Sequence, residues 1–325
     1  RYHIIRGTLD AQGVQVCLSD HPQKLYIDVL AEAGEHSART VIAGTHTNII
    51  RIEKDGQCIS TGDGAEENGA AGAGAELSLK EIDDFVRSVS SEKLNFLREC
   101  IDMNSAISQE GLEHPYGLGI GQSIYETLPE NNSEENYALA VTCAAADARM
   151  GGCTLPVMSS CGSGNQGLTA TLPVIAVARK RGLSEEDTFR ALAYSLLVTI
   201  HVKQHLGKLS ALCACSVGAS IGTACALTYL DGGTLQQIGH CVDNVVADVS
   251  GVICDGAKAG CALKIATGVS SAFRGAMLAM KNRNASALDG IVGHDPEASV
   301  DNLGNLCNTG MLDTDRVILD MLVCK

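Results

Sequence analysis

The chain contains no tryptophan, four Phe and seven Tyr, so aromatics make up 3% of its 325 residues. That scarcity counts against stacking platforms for bases or sugars. Positive charge is also short: 24 Lys and Arg stand against 38 Asp and Glu, a formal charge of -14. Nucleic-acid binding draws most of its affinity from clustered basic side chains, so no nucleic-acid partner is expected. No stretch approaches the roughly 18 uninterrupted apolar residues of a membrane span. The opening residues Arg1-Tyr2-His3-Ile4-Ile5-Arg6 lack the apolar core of a secretory signal. These absences lead to the expectation of a cytoplasmic protein without a membrane partner. What the chain does have is 45% hydrophobic content, ample for packed cores without disulfides or structural metal, and 14 Cys. Any metal would therefore act chemically. Without a secretory signal, many Cys mean metal ligation, catalysis or small buried hydrophobes rather than disulfides.

From Tyr2 to about Ile59 the pattern is strand-like, with the β-branched runs Leu25-Tyr26-Ile27-Asp28-Val29-Leu30 and Thr47-Asn48-Ile49-Ile50-Arg51-Ile52. Asp55-Gly56 reads as a hairpin turn. Ser60 to Glu76, rich in Gly, Ala and Glu, has little to bury and the composition of a flexible connection, which places a domain boundary there. Helical signals follow. Ser78-Leu79-Lys80-Glu81 has the form of a capping box, with Ile82, Phe85, Val86 and Val89 at helical spacing behind it. Ser184-Glu185-Glu186-Asp187 and Thr234-Leu235-Gln236-Gln237 open two more helices. Abundant small residues between Leu209 and Ala279 allow close helix-helix approach. The expected fold class is α+β: a small strand-rich α/β domain over residues 1–77, incomplete at its N-terminus, then a large all-helical catalytic domain over 78–325.

Three constellations carry chemistry. Cys161-Gly162-Ser163-Gly164-Asn165-Gln166-Gly167 contains the G-x-G-x-x-G spacing, with Glu185 and Glu186 about twenty residues on. A dinucleotide site requires a strand before it and a crossover helix to a second strand after it, whereas Leu168 to Arg181 leads into another helix. Gly-rich backbone before a helix also points several N-H groups at one spot, a ready carboxylate site to which Ser163, Asn165 and Gln166 add donors. A tight interhelical turn is the other reading. The second constellation is Cys213, Cys215, Cys254 and Cys261, whose spacing matches neither zinc pairs nor ferredoxin runs. Zinc, an iron-sulfur cluster and plain buried Cys stay open on spacing alone. The third is His46 in Gly44-Thr45-His46-Thr47-Asn48, a general base or a satisfied structural His. Cys17, Cys58, Cys100, Cys225 and Cys307 sit in apolar or helical patterns and are read as packing.

Taken together, Ser108-Gln109-Glu110-Gly111-Leu112, Asp147-Ala148-Arg149-Met150-Gly151-Gly152, Gly162 to Gly167, Leu209-Ser210-Ala211-Leu212-Cys213 and Ile253-Cys254-Asp255-Gly256-Ala257 resemble the L-cysteine desulfidase family. More distantly, the chain is similar to the alpha part of iron-sulfur L-serine dehydratase. The resemblance runs from Gly44-Thr45-His46-Thr47-Asn48 to Gly290-Ile291-Val292-Gly293-His294-Asp295. It implies a [4Fe-4S] cluster held by Cys213, Cys254 and Cys261, with one iron open as a Lewis acid, and leaves Cys215 unassigned. It also implies a substrate site at Ser163, Gly164, Asn165 and Gln166, and His46 as the base. The implied reaction is elimination from L-cysteine to pyruvate, ammonia and sulfide. L-serine dehydration and a non-catalytic metal-binding role are the alternatives. Relatives of this kind carry a further N-terminal segment with a Gly-Cys-Thr-Glu-Pro motif, so a truncated chain or a separate partner polypeptide is expected. Cys161 stands where the resemblance leads to Ser or Asn. A homodimer is expected from the frequency of two-fold enzymes.

Overall fold

The computed structural model describes residues 19, 21, 23, 25–45, 48–62, 77–207 and 210–323. Two compact units emerge: Arg1–Ala75 with Asp315–Lys325, and Glu76–Thr314.

In the first unit, β1 (Tyr26–Ala33), β2 (His36–Ala43), β3 (Ile49–Lys54) and β4 (Gln57–Thr61) form an antiparallel meander in chain order. The Asp55-Gly56 turn has positive φ at both residues, +50° and +75°, and so closes the β3–β4 hairpin with the right twist. Val41 and Ala43 alternate as buried residues on β2, as period-two patterning requires. Farther along the same face Arg39 holds the Asp28 carboxylate through Nε and Nη2, at 2.8 and 2.6 Å. Cys58 is a correction to the sequence reading. It is exposed on β4, all five of whose residues are exposed among the described residues, so the strand has no buried face there. Cys17 and the connection from Asp63 to Glu76 lie outside the described residues.

The second unit is helical. In chain order its helices are α1 (Leu79–Ser88), α2 (Leu97–Glu113), α3 (Ile120–Glu126), α4 (Glu134–Met150), α5 (Gly164–Arg181), α6 (Glu185–Leu206), α7 (Gly218–Leu230), α8 (Leu235–Val249), α9 (Cys261–Met280) and α10 (Pro296–Asn305). A last helix, α11 (Leu312–Val323), starts in this unit and belongs from Asp315 onward to the first. The chain is thus an α+β protein, a small antiparallel sheet followed by a mostly helical region. The expected starts are present: Ser78 and Glu81 form a reciprocal capping box, Thr234 and Gln237 another, and Ser184 accepts the Asp187 amide. Phe85, placed on the apolar face of α1 by spacing, is 46% exposed.

Helices α4, α5, α7 and α9 form the centre, with α2 and α3 against α4, α6 against α7, and α8 against α7 and α9. From Gly164 to Ala178 every residue of α5 is buried, so this helix needs no polar face and has a weak amphipathic pattern. Burial makes its backbone bonding strict. Pro173 has no N-H, which frees the Thr169 carbonyl, and Thr223 Oγ1 on α7 donates to that oxygen at 2.8 Å. Small residues let the helices approach closely. A Cβ on Gly222 of α7 would stand 2.3 Å from the Ser195 carbonyl oxygen of α6.

Candidate active site

Three loops of the helical unit bring the sequence candidates together. Between α6 and α7, and between α8 and α9, two segments pair as an isolated antiparallel bridge at Leu212 and Ile253. The Cys213 amide donates to the Val252 carbonyl at 2.9 Å, and the Cys254 amide to the Ala211 carbonyl at 2.7 Å. This pairing sets Cys213 beside Cys254, although they are 41 positions apart in sequence. Lys208 and Leu209, at the start of the first segment, lie outside the described residues.

The thiols are close enough to influence one another: the Cys213 thiol is shifted by both Cys215 and Cys254, and that of Cys215 by Cys213, Cys254 and Cys261. Cys215, to which the resemblance assigns nothing, is therefore a member of the set. Its thiol is held below the ordinary range, first by the hydrogen bond from Cys213 and then by one from Ser163, against burial. The Cys213 thiol is pushed up to about 12, chiefly because it donates to Cys215. Of the two thiols, Cys215 is thus the more acidic. Cys261 opens α9, and its Sγ receives the Lys258 amide at 3.4 Å.

The loop that carries Cys254 is held by charge. Lys264 Nζ donates to the Ile253 carbonyl at 2.7 Å and pairs with the Asp255 carboxylate, which also pairs with Lys258. Desolvation would raise the Asp255 carboxyl. Hydrogen bonds and charge from the two lysines outweigh it and bring the group down to about 2.

The third loop precedes α5. Ser160 and Ser163 exchange backbone bonds at 3.1 and 2.9 Å around Cys161 and Gly162, whose φ values are +49° and +79°. This is a two-residue turn of the mirror-image type, which Asn-Gly suits best. A Cys at its first position is conformationally strained, where Asn would not be. The Gly pattern has a structural reason at each place. Gly162 supplies positive φ, a Cβ on Gly167 would stand 2.1 Å from the Met158 carbonyl oxygen, and one on Gly164 would stand 2.3 Å from Arg149 Nε. No strand-crossover-strand unit surrounds it: α5 runs into α6. The dinucleotide reading is thus absent on both grounds.

Ser163 links this turn to the thiols. Its Oγ accepts the Gln166 amide at 3.3 Å as the N-cap of α5, which leaves its proton for Cys215 Sγ at 3.4 Å. The Gly164 and Asn165 amides have no backbone or side-chain acceptor among the described residues. Gln166, fully buried in the same first turn, has neither its side-chain nitrogen nor its oxygen paired. Buried amides are nearly always satisfied, so such a pair of orphans asks for a ligand.

His46 lies outside the described residues. Among the described residues no three His, Cys, Asp or Glu side chains converge as ligands of one ion would. A cluster instead spreads its thiolates over separate irons, and a niche of thiols is the donor set such clusters use. A recess of about 600 Å3 at the start of α2, against Phe96, Asp102 and Pro156, shares no residue with this niche. No helix among the described residues is long and apolar enough to cross a membrane. Among the residues that sequence reasoning left without a role, Arg149, Asp255 and Lys264 surround the niche. Their signal was membership of the quoted motifs or their flanks, with no spacing rule to interpret it.

The profile of the family described as "Serine dehydratase alpha chain" matches residues 28–320. A UPF0597 protein of Aeromonas hydrophila is 41% identical over 318 residues, covering 96% of this chain and 73% of the relative. UPF0597 proteins of Bacteroides fragilis and Clostridium tetani are 39% and 40% identical over 96% and 95% of the chain, and 74% and 73% of their own lengths.

Proposed function

Because the chain belongs to the serine dehydratase alpha chain family, we propose that it is a lyase that eliminates the β-substituent of a small L-amino acid, with L-cysteine as substrate. The observation that carries this reading is the thiol group of Cys213, Cys215 and Cys254 joined through Ser163 to the unsatisfied first turn of α5. One half offers soft metal ligands. The other offers donors for an anion.

In this reading Cys213, Cys254 and Cys261 would hold a [4Fe-4S] cluster, whose chemistry when bound is Lewis-acid polarisation of the leaving group. The bonded Cys215 and the salt-linked Asp255 loop fix the positions of these ligands. The first turn of α5 binds and orients the substrate through Ser163, Gly164, Asn165 and Gln166. A base takes the Cα proton, the C-S bond breaks with its electron pair leaving as hydrosulfide, and a C=C bond forms. The resulting enamine tautomerises, and water hydrolyses it to pyruvate and ammonium. His46 is retained as that base on its sequence motif alone.

The test is anaerobic reconstitution of the chain, followed by iron and acid-labile sulfide analysis and turnover of L-cysteine and L-serine in competition. Equal amounts of pyruvate and sulfide are expected, with preference for L-cysteine. Preference for L-serine would make the chain a serine dehydratase with the same site. A Cys254→Ala chain that folds and keeps all its iron would remove the cluster from the reading and leave a metal-independent or purely binding role.

A further inference from the structure

Arg149, near the end of α4, reaches the first turn of α5. Its Nη1 donates to Asn165 Oδ1 at 3.1 Å and approaches the Met150 sulfur at 3.3 Å. Among the described residues no carboxylate lies within ion-pair distance of it. The contrast is with Arg190, also half-buried, whose guanidinium is clasped by Glu186 through Nε and Nη2 at 3.1 and 2.9 Å. Holding a guanidinium partly out of water without a counter-charge is unfavourable, and its remaining N-H groups form a planar fork that matches a carboxylate.

The surroundings point the same way. Gly164 is where the guanidinium meets the helix: an added Cβ would stand 2.3 Å from Arg149 Nε and 2.8 Å from Cζ. Asn165 is buried, and its amide nitrogen has only the Met150 sulfur, at 3.2 Å, a weak acceptor. Independently, Gln166 is fully buried with both side-chain polar atoms unpaired. One turn of helix thus presents free amides, two under-used side-chain amides and a cation without an anion.

We propose that Arg149 receives the α-carboxylate of the substrate, and that this pairing makes the site select free amino acids over their uncharged carboxyl derivatives. The proposal rests on the reading of the α5 turn as the substrate site. It adds a residue to which that reading gives no role, and it accounts for Gly164 as the position that must lack a Cβ for the guanidinium to sit there.

The experiment uses L-alanine and L-alanine amide, which lack a β-leaving group and cannot be eliminated, titrated calorimetrically into the full chain under anaerobic conditions. The wild type is expected to bind L-alanine at least about ten-fold more tightly than the amide. Arg149→Gln should weaken L-alanine by about 10- to 100-fold, the range of a charged hydrogen-bonded pair, and leave the amide within about two-fold. Arg149→Lys should recover part of the loss, and Gly164→Ala should imitate Arg149→Gln by displacing the guanidinium. Equal weakening of acid and amide, or no weakening of either, overturns the proposal, as does a wild type that binds both alike. The two readings fail separately. A chain that binds L-alanine through Arg149 but releases neither sulfide from L-cysteine nor ammonia from L-serine keeps the clamp and loses the lyase.

Discussion

Replacing Gln166 by Met tests the claim that the fold carries an unsatisfied buried amide for the sake of a ligand. Gln166 is fully buried and neither polar atom of its side chain is paired. Leaving such groups without partners costs about 1 to 3 kcal/mol, whereas a volume-conserving swap to Met costs less than about 1.5 kcal/mol in packing. The ligand-free variant should therefore be more stable than the wild type by about 1 to 2 kcal/mol. In a unit of the size of Glu76–Thr314, each kcal/mol moves Tm by about 2 to 4 °C, so a rise of about 2 to 8 °C is expected. Scanning calorimetry of the ligand-free chain gives the Tm, and titration with L-alanine gives the binding. The variant should gain stability and lose affinity together, the usual signature of a residue kept for function against stability. A fall in Tm would refute the claim that the amide is unpaired in the free fold. A rise in Tm with undiminished L-alanine binding would refute its assignment to the ligand.

Thr223→Val keeps shape but removes the donor to the Thr169 carbonyl freed by Pro173; urea unfolding should show a loss of about 1 to 3 kcal/mol. Ser163→Ala should cost about 1 kcal/mol from the lost N-cap, measured in the same way, and should slow turnover because Cys215 loses a donor. The Asp255 carboxyl lies near 2 in the fold, below its ordinary 3.8, so its contribution is present above about pH 4 and is lost as pH falls toward 2. Unfolding of wild type and Asp255→Asn across that range should show a difference on the order of 1 kcal/mol at pH 5, after allowance for solvent screening, that vanishes near pH 2. A thiol reagent added to the native chain should label Cys58 ahead of Cys225 and Cys307, read by mass spectrometry of peptides, since only Cys58 of these three is exposed.

The fold was legible in the sequence where local rules act. Capping boxes at Ser78 and Thr234, the Ser184 cap and the Asp55-Gly56 turn are decided by residues within four positions of one another, so their chemistry is visible in the string. The exposure of Cys58 and Phe85 was not legible, because an apolar spacing says which residues share a face and not whether anything covers it. The meander order of the strands also follows from their short turns.

By itself, then, the sequence determined an acidic α+β chain, the caps that start its helices, and the Cys and Gly motifs whose residue types define the available chemistry. Tertiary structure alone decided which of those residues meet. The bridge between Leu212 and Ile253 makes Cys213 and Cys254 neighbours, Ser163 joins them to α5 through Cys215, and Arg149 reaches that turn from a different helix. The physical reason is range. Caps and turns are settled by hydrogen bonds between near neighbours in the chain, whereas the niche is assembled by contacts across 16 positions, between Arg149 and Asn165, to 52, between Ser163 and Cys215. Those contacts exist only once the buried faces of α5, α7 and α9 have packed.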